Sequence, residues 1–132
     1  YTTAAKAAND YEQTNFAINY QMGAAKLMYL TNVNKIGATK TQTDMFGTQY
    51  DVSTGQVRIA STKLKATGVA NDASQWAVGY VHNLSKRTVL FTNYSKVSNS
   101  GIGKQFTVGS GNSVTTPGGS STGYEFGVRH SF

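Results

Sequence analysis

Between Tyr124 and Phe132 the chain alternates: Tyr, Phe, Val, His and Phe take the even positions, and Glu125, Gly127, Arg129 and Ser131 the odd ones. A period of two puts the two sets on opposite faces of a pleated strand, one apolar and one polar. The same phase recurs in Trp76, Val78, Tyr80 and His82, in Phe46, Thr48, Tyr50 and Val52, and in Phe16, Ile18, Tyr20 and Met22. Opposite them stand Asn15, Asn19, Gln21, Gln49, Asp51 and Gln75. Three less regular runs, at about 25 to 34, 56 to 65 and 88 to 97, are rich in Val, Leu, Ile, Thr, Phe and Tyr and predict three further strands. Their facing is open at this level. Val57 and Ile59 favour one phase, whereas Leu27 competes with Met28 and Phe91 with Leu90.

The connections fall into two kinds. Gly23 with Ala24, Ser53 to Gly55, and Leu84 to Arg87 predict tight hairpin turns. Asn34 to Asp44, Ala66 to Ala73 and Ser98 to Thr122 carry the Gly, Ser, Asn and Thr of longer solvated loops, the last holding the one proline, Pro117. Short and long connections therefore alternate, as in outer-membrane barrels with short periplasmic turns and longer extracellular loops. A soluble β-sandwich or lipocalin-like barrel has the same period with its apolar face inward, so periodicity alone does not separate the two. Aromatic spacing favours the lipid-facing reading. Tyr124 and Phe132 bracket the apolar face of the last strand eight steps apart, roughly 20 Å along a membrane normal at ~3.3 Å per residue and ~40° tilt. Trp76, Tyr80 and His82 repeat the arrangement, with amphipathic rings suited to the edge of the hydrocarbon.

Composition agrees with strands and narrows the chemistry. Charged residues make up 14% of the 132, against roughly 25% in an ordinary soluble domain, which leaves little charge for a fully wetted exterior. Cysteine is absent, which removes disulfides, thiolate metal sites and cysteine nucleophiles. The longest apolar run, Leu27 to Leu30, is far below the ~20 residues of a membrane helix, so any span is made by strands. A net charge of +6 fits anionic solutes, anionic lipid or nucleic acid equally well.

With the C-terminus on the periplasmic side, counting back gives seven strands and puts the first residues outside. Seven is an odd count for a single-chain bacterial barrel, and an open edge in lipid is unsatisfied. The expectation is therefore that residues 1–132 are the C-terminal part of a single transmembrane domain, an all-β antiparallel up-and-down barrel completed by an N-terminal portion of the same protein.

Two stretches resemble one family. Val78-Gly-Tyr-Val-His-Asn-Leu-Ser-Lys-Arg-Thr-Val-Leu-Phe-Thr-Asn-Tyr94 is similar to the penultimate hairpin of Gram-negative general-diffusion porins, whose turn typically carries Leu-Ser-Lys-Arg-Thr. Gly127-Val-Arg-His-Ser-Phe132 is similar to their C-terminal strand. The beta-proteobacterial branch, which includes anion-preferring members, is the nearest match. The resemblance implies a sixteen-stranded barrel in a homotrimer, set in outer-membrane lipid and lipopolysaccharide. It also implies a water-filled channel for small anionic or polar solutes, and a C-terminal aromatic signal read by the assembly machinery. That signal falls on Tyr124, Phe126, Val128, His130 and Phe132. Phe91 stands where the family often has Tyr, a change expected to matter little.

Candidate functional residues follow from phase and end. Arg58, Glu125 and Arg129 take the polar face and are the pore-lining candidates, although Glu125 and Arg129 can also pair with each other at i and i+4. Lys6, Lys35, Lys40, Lys63, Lys65, Lys96 and Lys104 map to the outer end, where a basic rim would concentrate anions, bind lipopolysaccharide phosphates, or simply be solvated. Lys86 and Arg87 fall in a polar turn. His82 and His130 take the apolar phase near the periplasmic end, a poor place for a catalytic triad or a metal, and no cofactor is expected. The glycines around Gly109, Gly111, Gly118 and Gly119 lack the Lys and Ser or Thr of a phosphate loop and predict a flexible outer loop. Two rival readings remain: an outer-membrane barrel enzyme of lipase or protease type, and a soluble basic β-domain binding nucleic acid.

Overall fold

The computed structural model describes residues 10–68, 70–102, 106–109 and 116–132. Seven strands follow one another: β1 (Tyr11–Met22), β2 (Ala25–Ile36), β3 (Thr39–Val52), β4 (Gly55–Thr67), β5 (Ala73–Asn83), β6 (Thr88–Asn99) and β7 (Ser120–His130). Each pairs antiparallel with the next, giving one sheet in the order β1 to β7 with β1 and β7 at its edges. This is the up-and-down meander that the alternation predicts. At ~3.3 Å per residue and ~40° tilt, even the 11-residue strands rise ~28 Å, enough for the ~25 Å apolar band of an outer-membrane barrel.

Register settles the facing that the sequence leaves open. Directly paired residues share a face, and following the pairs across the sheet collects one apolar set. Tyr20 pairs Leu27, Leu27 pairs Thr48, and Thr48 pairs Ile59. Ile59 pairs Val78, Val78 pairs Tyr94, and Tyr94 pairs Tyr124. Leu27 and Leu90 thus take the apolar face, and Met28 and Phe91 the other. Phe16, Ile18, Phe46, Tyr50, Trp76 and Phe126 belong to the same apolar face and are largely exposed, Phe126 at 72%. Among the described residues only Gly47, Gly55, Val97 and Asn99 are buried. The aromatic and aliphatic residues of that face thus make one broad uncovered surface, of an extent that marks contact with lipid or protein and not with water.

The connections depart from the strict alternation. Those at one end, called inner here, span 23–24, 53–54 and 84–87, while those at the outer end span 37–38, 68–72 and 100–119. The expected loop from Asn34 to Asp44 is a two-residue turn. Gly37, at φ +57°, occupies the first turn position, where glycine reaches the left-handed region without strain. Strand β2 runs up to it and β3 away from it. The stretch Thr39 to Thr43 is polar on both faces, so it carries no period-two contrast, yet its threonines are β-branched strand formers. Residues 68–72 are likewise shorter than expected, with the Ala66 N–H donating to Asp72 Oδ1 at 2.8 Å. The 100–119 connection alone is long.

Candidate functional site

The polar face is the one on which chemistry can act, and its rows are readable from the register. Gln49, Arg58, Gly79, Asn93 and Glu125 form one row across β3 to β7. The next row toward the inner end is Asp51, Gln56, Val81, Phe91 and Gly127. Beyond it, Val89 stands opposite Arg129. Large side chains here lie across neighbouring glycines: Asn93 covers Gly79, and the Phe91 ring covers Gly127, so that a Cβ at either glycine would clash.

Arg58 and Arg129 therefore share the polar face with Glu125, as the phase predicts. The Nε of Arg58 donates to Gln56 Oε1 at 2.5 Å, and Gln56 Nε2 donates to Asp51 Oδ1 at 2.6 Å. Glu125 Oε2 accepts from Asn93 Nδ2 at 3.0 Å. Among the described residues neither Arg58 nor Arg129 makes an ion pair. The i and i+4 pairing of Glu125 with Arg129 is thus not formed; the carboxylate is held across the strands instead. Toward β1 the same face is a field of amides and hydroxyls. Tyr11 donates to Gln13 and Asn34, and Asn32 donates to Asn15. Such groups suit a wall in contact with water.

Lys26 joins the Arg58 row through Gln49, but five other lysines stand elsewhere. Lys35, Lys40, Lys63, Lys65 and Lys96 all occupy the apolar phase, at the outer ends of β2, β3, β4 and β6. Lys35 is directly opposite Lys40, Lys63 is opposite Asp44, and Lys96 is opposite Trp76. One ion pair among the described residues, Lys35 Nζ to Glu12 Oε2 at 3.8 Å, joins two half-exposed side chains and is worth at most about 1 kcal/mol. On this face the charge begins where the apolar residues stop: Asp44 follows Phe46, and Lys63 follows Ser61 in phase. Lys6, Lys104 and Gly111 lie outside the described residues.

The long 100–119 connection, expected as a flexible outer loop, has its described stretch 106–109 laid over the polar face. Phe106 donates its N–H to Asn99 Oδ1 at 3.2 Å, and Asn99 Nδ2 donates to the carbonyls of Phe106 and Gly119, both at 2.9 Å. The Val108 N–H donates to Ser121 Oγ at 3.2 Å, and its side chain sits over Gly123. Asn99 is 5% exposed, and its amide has no route to water that competes with these partners. A buried asparagine amide with every group satisfied fixes the loop base.

His82 is hydrogen-bonded to Tyr80 and Thr54 hydroxyls at 3.1 and 3.4 Å, and His130 to Thr88 at 2.9 Å. Both are at the inner end in the apolar phase, together with Phe132, whose ring meets His130 edge-on at 5.1 Å. Tyr124, Phe126 and Val128 complete that face of β7, Tyr124 at 88% exposed. Among the described residues no cluster of His, Asp or Glu could hold a metal.

The sequence profile of the Gram-negative porin family matches residues 1–102. The chain belongs to the Gram-negative porins. It is 33% identical, over 134 aligned positions, to outer membrane porin protein 32 of Delftia acidovorans, an alignment covering 95% of this chain and 38% of that one. Its fold superposes on the anion-selective porin from Comamonas acidovorans with a TM-score of 0.79 and 29% identity, over 94% of this chain and 40% of the other. The chain thus spans about two-fifths of the length of these porins. Its seven strands are those of a porin β-barrel, and its place is the bacterial outer membrane, with the apolar face toward lipid. The C-terminal resemblance, from Gly127 to Phe132, lies beyond the matched profile and stands on its own residues.

Proposed function

We propose that this chain supplies the C-terminal wall of one transmembrane barrel, closed by further strands of the same porin, and that the barrel is a channel for passive diffusion of small hydrophilic solutes with a preference for anions. The observation that carries this reading is the division of the faces. The apolar set looks to lipid, and the opposite face holds amides, hydroxyls and the guanidiniums of Arg58 and Arg129, which make no ion pair among the described residues. Fixed positive charge on a wall lowers the energy of a passing anion and raises that of a cation. The solved relative is an anion-selective porin, which supports this assignment. No bond is made or broken, and the histidines, held on the apolar face by Tyr80, Thr54 and Thr88, have no part in it. A homotrimer and recognition of the Tyr124 to Phe132 face during assembly follow from the family resemblance and belong to the same proposal.

These five lysines have a separate role in this reading. They point outward at the outer edge of the apolar band, where lipopolysaccharide carries its phosphates. Lys35 and Lys40 stand directly opposite each other, and with Glu12 answering Lys35 alone the pair keeps a net positive charge that an anionic headgroup would relieve. The basic residues thereby divide between pore wall and lipid belt, and the net charge of +6 calls for no nucleic acid.

The test of the channel reading is electrical. The full-length protein in a planar bilayer is expected to give steady ohmic conductance, with a reversal potential displaced toward that of chloride in a salt gradient. Arg58→Gln combined with Arg129→Gln is expected to reduce that displacement. Absence of conductance, or a displacement toward the cation, contradicts the proposal.

A further inference from the structure

Near the inner end of the polar face lies a recess of ≈ 230 Å³ lined by Arg58, Val81, Val89, Phe91, Asn93 and Arg129. Its composition is unusual for a wetted wall. Val81 and Phe91 are direct partners, and Val89 follows two residues from Phe91 on the same strand, so three apolar side chains make a continuous floor. Two glycines make the room. Gly79, between Arg58 and Asn93 in its row, lets the Asn93 side chain lie down over it, and Gly127 does the same for the Phe91 ring. Guanidiniums stand on both sides, from β4 and β7, while Asn93 is drawn to Glu125 and keeps that carboxylate among its own hydrogen bonds.

A small inorganic anion gains from the guanidiniums and nothing from the floor. A monocarboxylate with a hydrocarbon body gains from both, because its carboxylate takes the fork of a guanidinium while its apolar part leaves water against Val81, Val89 and Phe91. From this geometry we infer that the recess is a binding station for small organic monocarboxylates with an apolar, above all aromatic, body. The inference rests on the polar face lining the channel and adds the solute class that one part of the wall prefers. Its location beside the 84–87 turn puts the station at the inner mouth, where a solute leaves the pore.

The experiment is block of chloride current through the full-length protein in a planar bilayer, comparing benzoate with acetate at equal ionic strength. Benzoate is expected to halve the chloride current at a concentration roughly tenfold below that of acetate, the low end of the range for apolar discrimination in a pocket. Phe91→Thr is expected to bring the two anions to within about twofold. Val81→Thr with Val89→Thr, which keeps side-chain shape while adding hydroxyls, is expected to do the same if Phe91→Thr fails to assemble. Arg58→Gln is expected to weaken both anions together. Equal block by benzoate and acetate in the unsubstituted protein, or a tenfold ratio that survives both sets of floor substitutions, overturns the inference. The reversal potential from the same recordings reports the anion preference separately, so a failed station and a failed channel reading give different results.

Discussion

Replacing Ile59 by arginine is expected to destabilise the folded barrel by about 2–4 kcal/mol, whereas arginine at Ala60, one residue on, is expected to change stability by no more than about 0.5 kcal/mol. The two positions differ by one pleat. Ile59 pairs Thr48 and Val78 on the apolar face, 49% exposed toward lipid. A guanidinium there either enters hydrocarbon or bends toward the interface, and both are unfavourable. Ala60 pairs Gly47 and Ala77 on the polar face, among the smallest side chains of the sheet, so an arginine there has space and reaches water. Urea titration of each variant folded into lipid vesicles gives the comparison. Equal destabilisation at the two positions is incompatible with a one-sided sheet.

Changing Lys35, Lys40, Lys63, Lys65 and Lys96 to glutamine together is expected to remove most of the stabilisation that lipopolysaccharide confers. Each lysine near an anionic lipid surface contributes about 1 kcal/mol, so the five sum to as much as ~5 kcal/mol, shrinking with salt as the ~8 Å screening length shortens. The quantity to measure is the difference in unfolding free energy between vesicles with and without lipopolysaccharide. The unsubstituted protein is expected to gain stability in its presence and the glutamine variant to gain little. The reversal potential of the variant is expected to stay near that of the parent. A fall in chloride preference with an undiminished lipopolysaccharide gain would instead place these lysines on the mouth of the pore.

The sequence carried most of this, and what it concealed has physical causes. Strands with one greasy face announce themselves: Phe16 to Met22, Phe46 to Val52, Trp76 to His82 and Tyr124 to His130 all have the predicted facing. The alternation fades where a strand leaves the membrane, because both faces then meet water. That is why Thr39 to Thr43 reads as loop when it is strand. Side-by-side apolar pairs such as Leu27 with Met28, or Leu90 with Phe91, cannot be phased within one strand; the cross-strand partner decides them. The outward facing of the lysines was legible, since Lys96 is in phase with Leu90 and Tyr94, and Lys63 with Ile59, but only once phase is carried past the apolar segment. The recess was not. Phe91 in phase with Val89 and Asn93 is a weak hint, and the seats that Gly79 and Gly127 give to Asn93 and Phe91 exist only between strands. Phe91, expected to matter little, forms part of its floor.

Trp76 offers the most direct access to the facing of the sheet. It lies on the apolar face near the outer end, its ring 5.1 Å from that of Tyr94, and the Trp76→Phe variant isolates its emission by difference. In bilayers whose acyl chains carry bromine, that emission is expected to be strongly quenched, while aqueous iodide leaves it nearly unchanged. Efficient quenching by iodide with no response to brominated chains would mean that the aromatic face meets water, and the assignment of lipid and pore sides would be wrong.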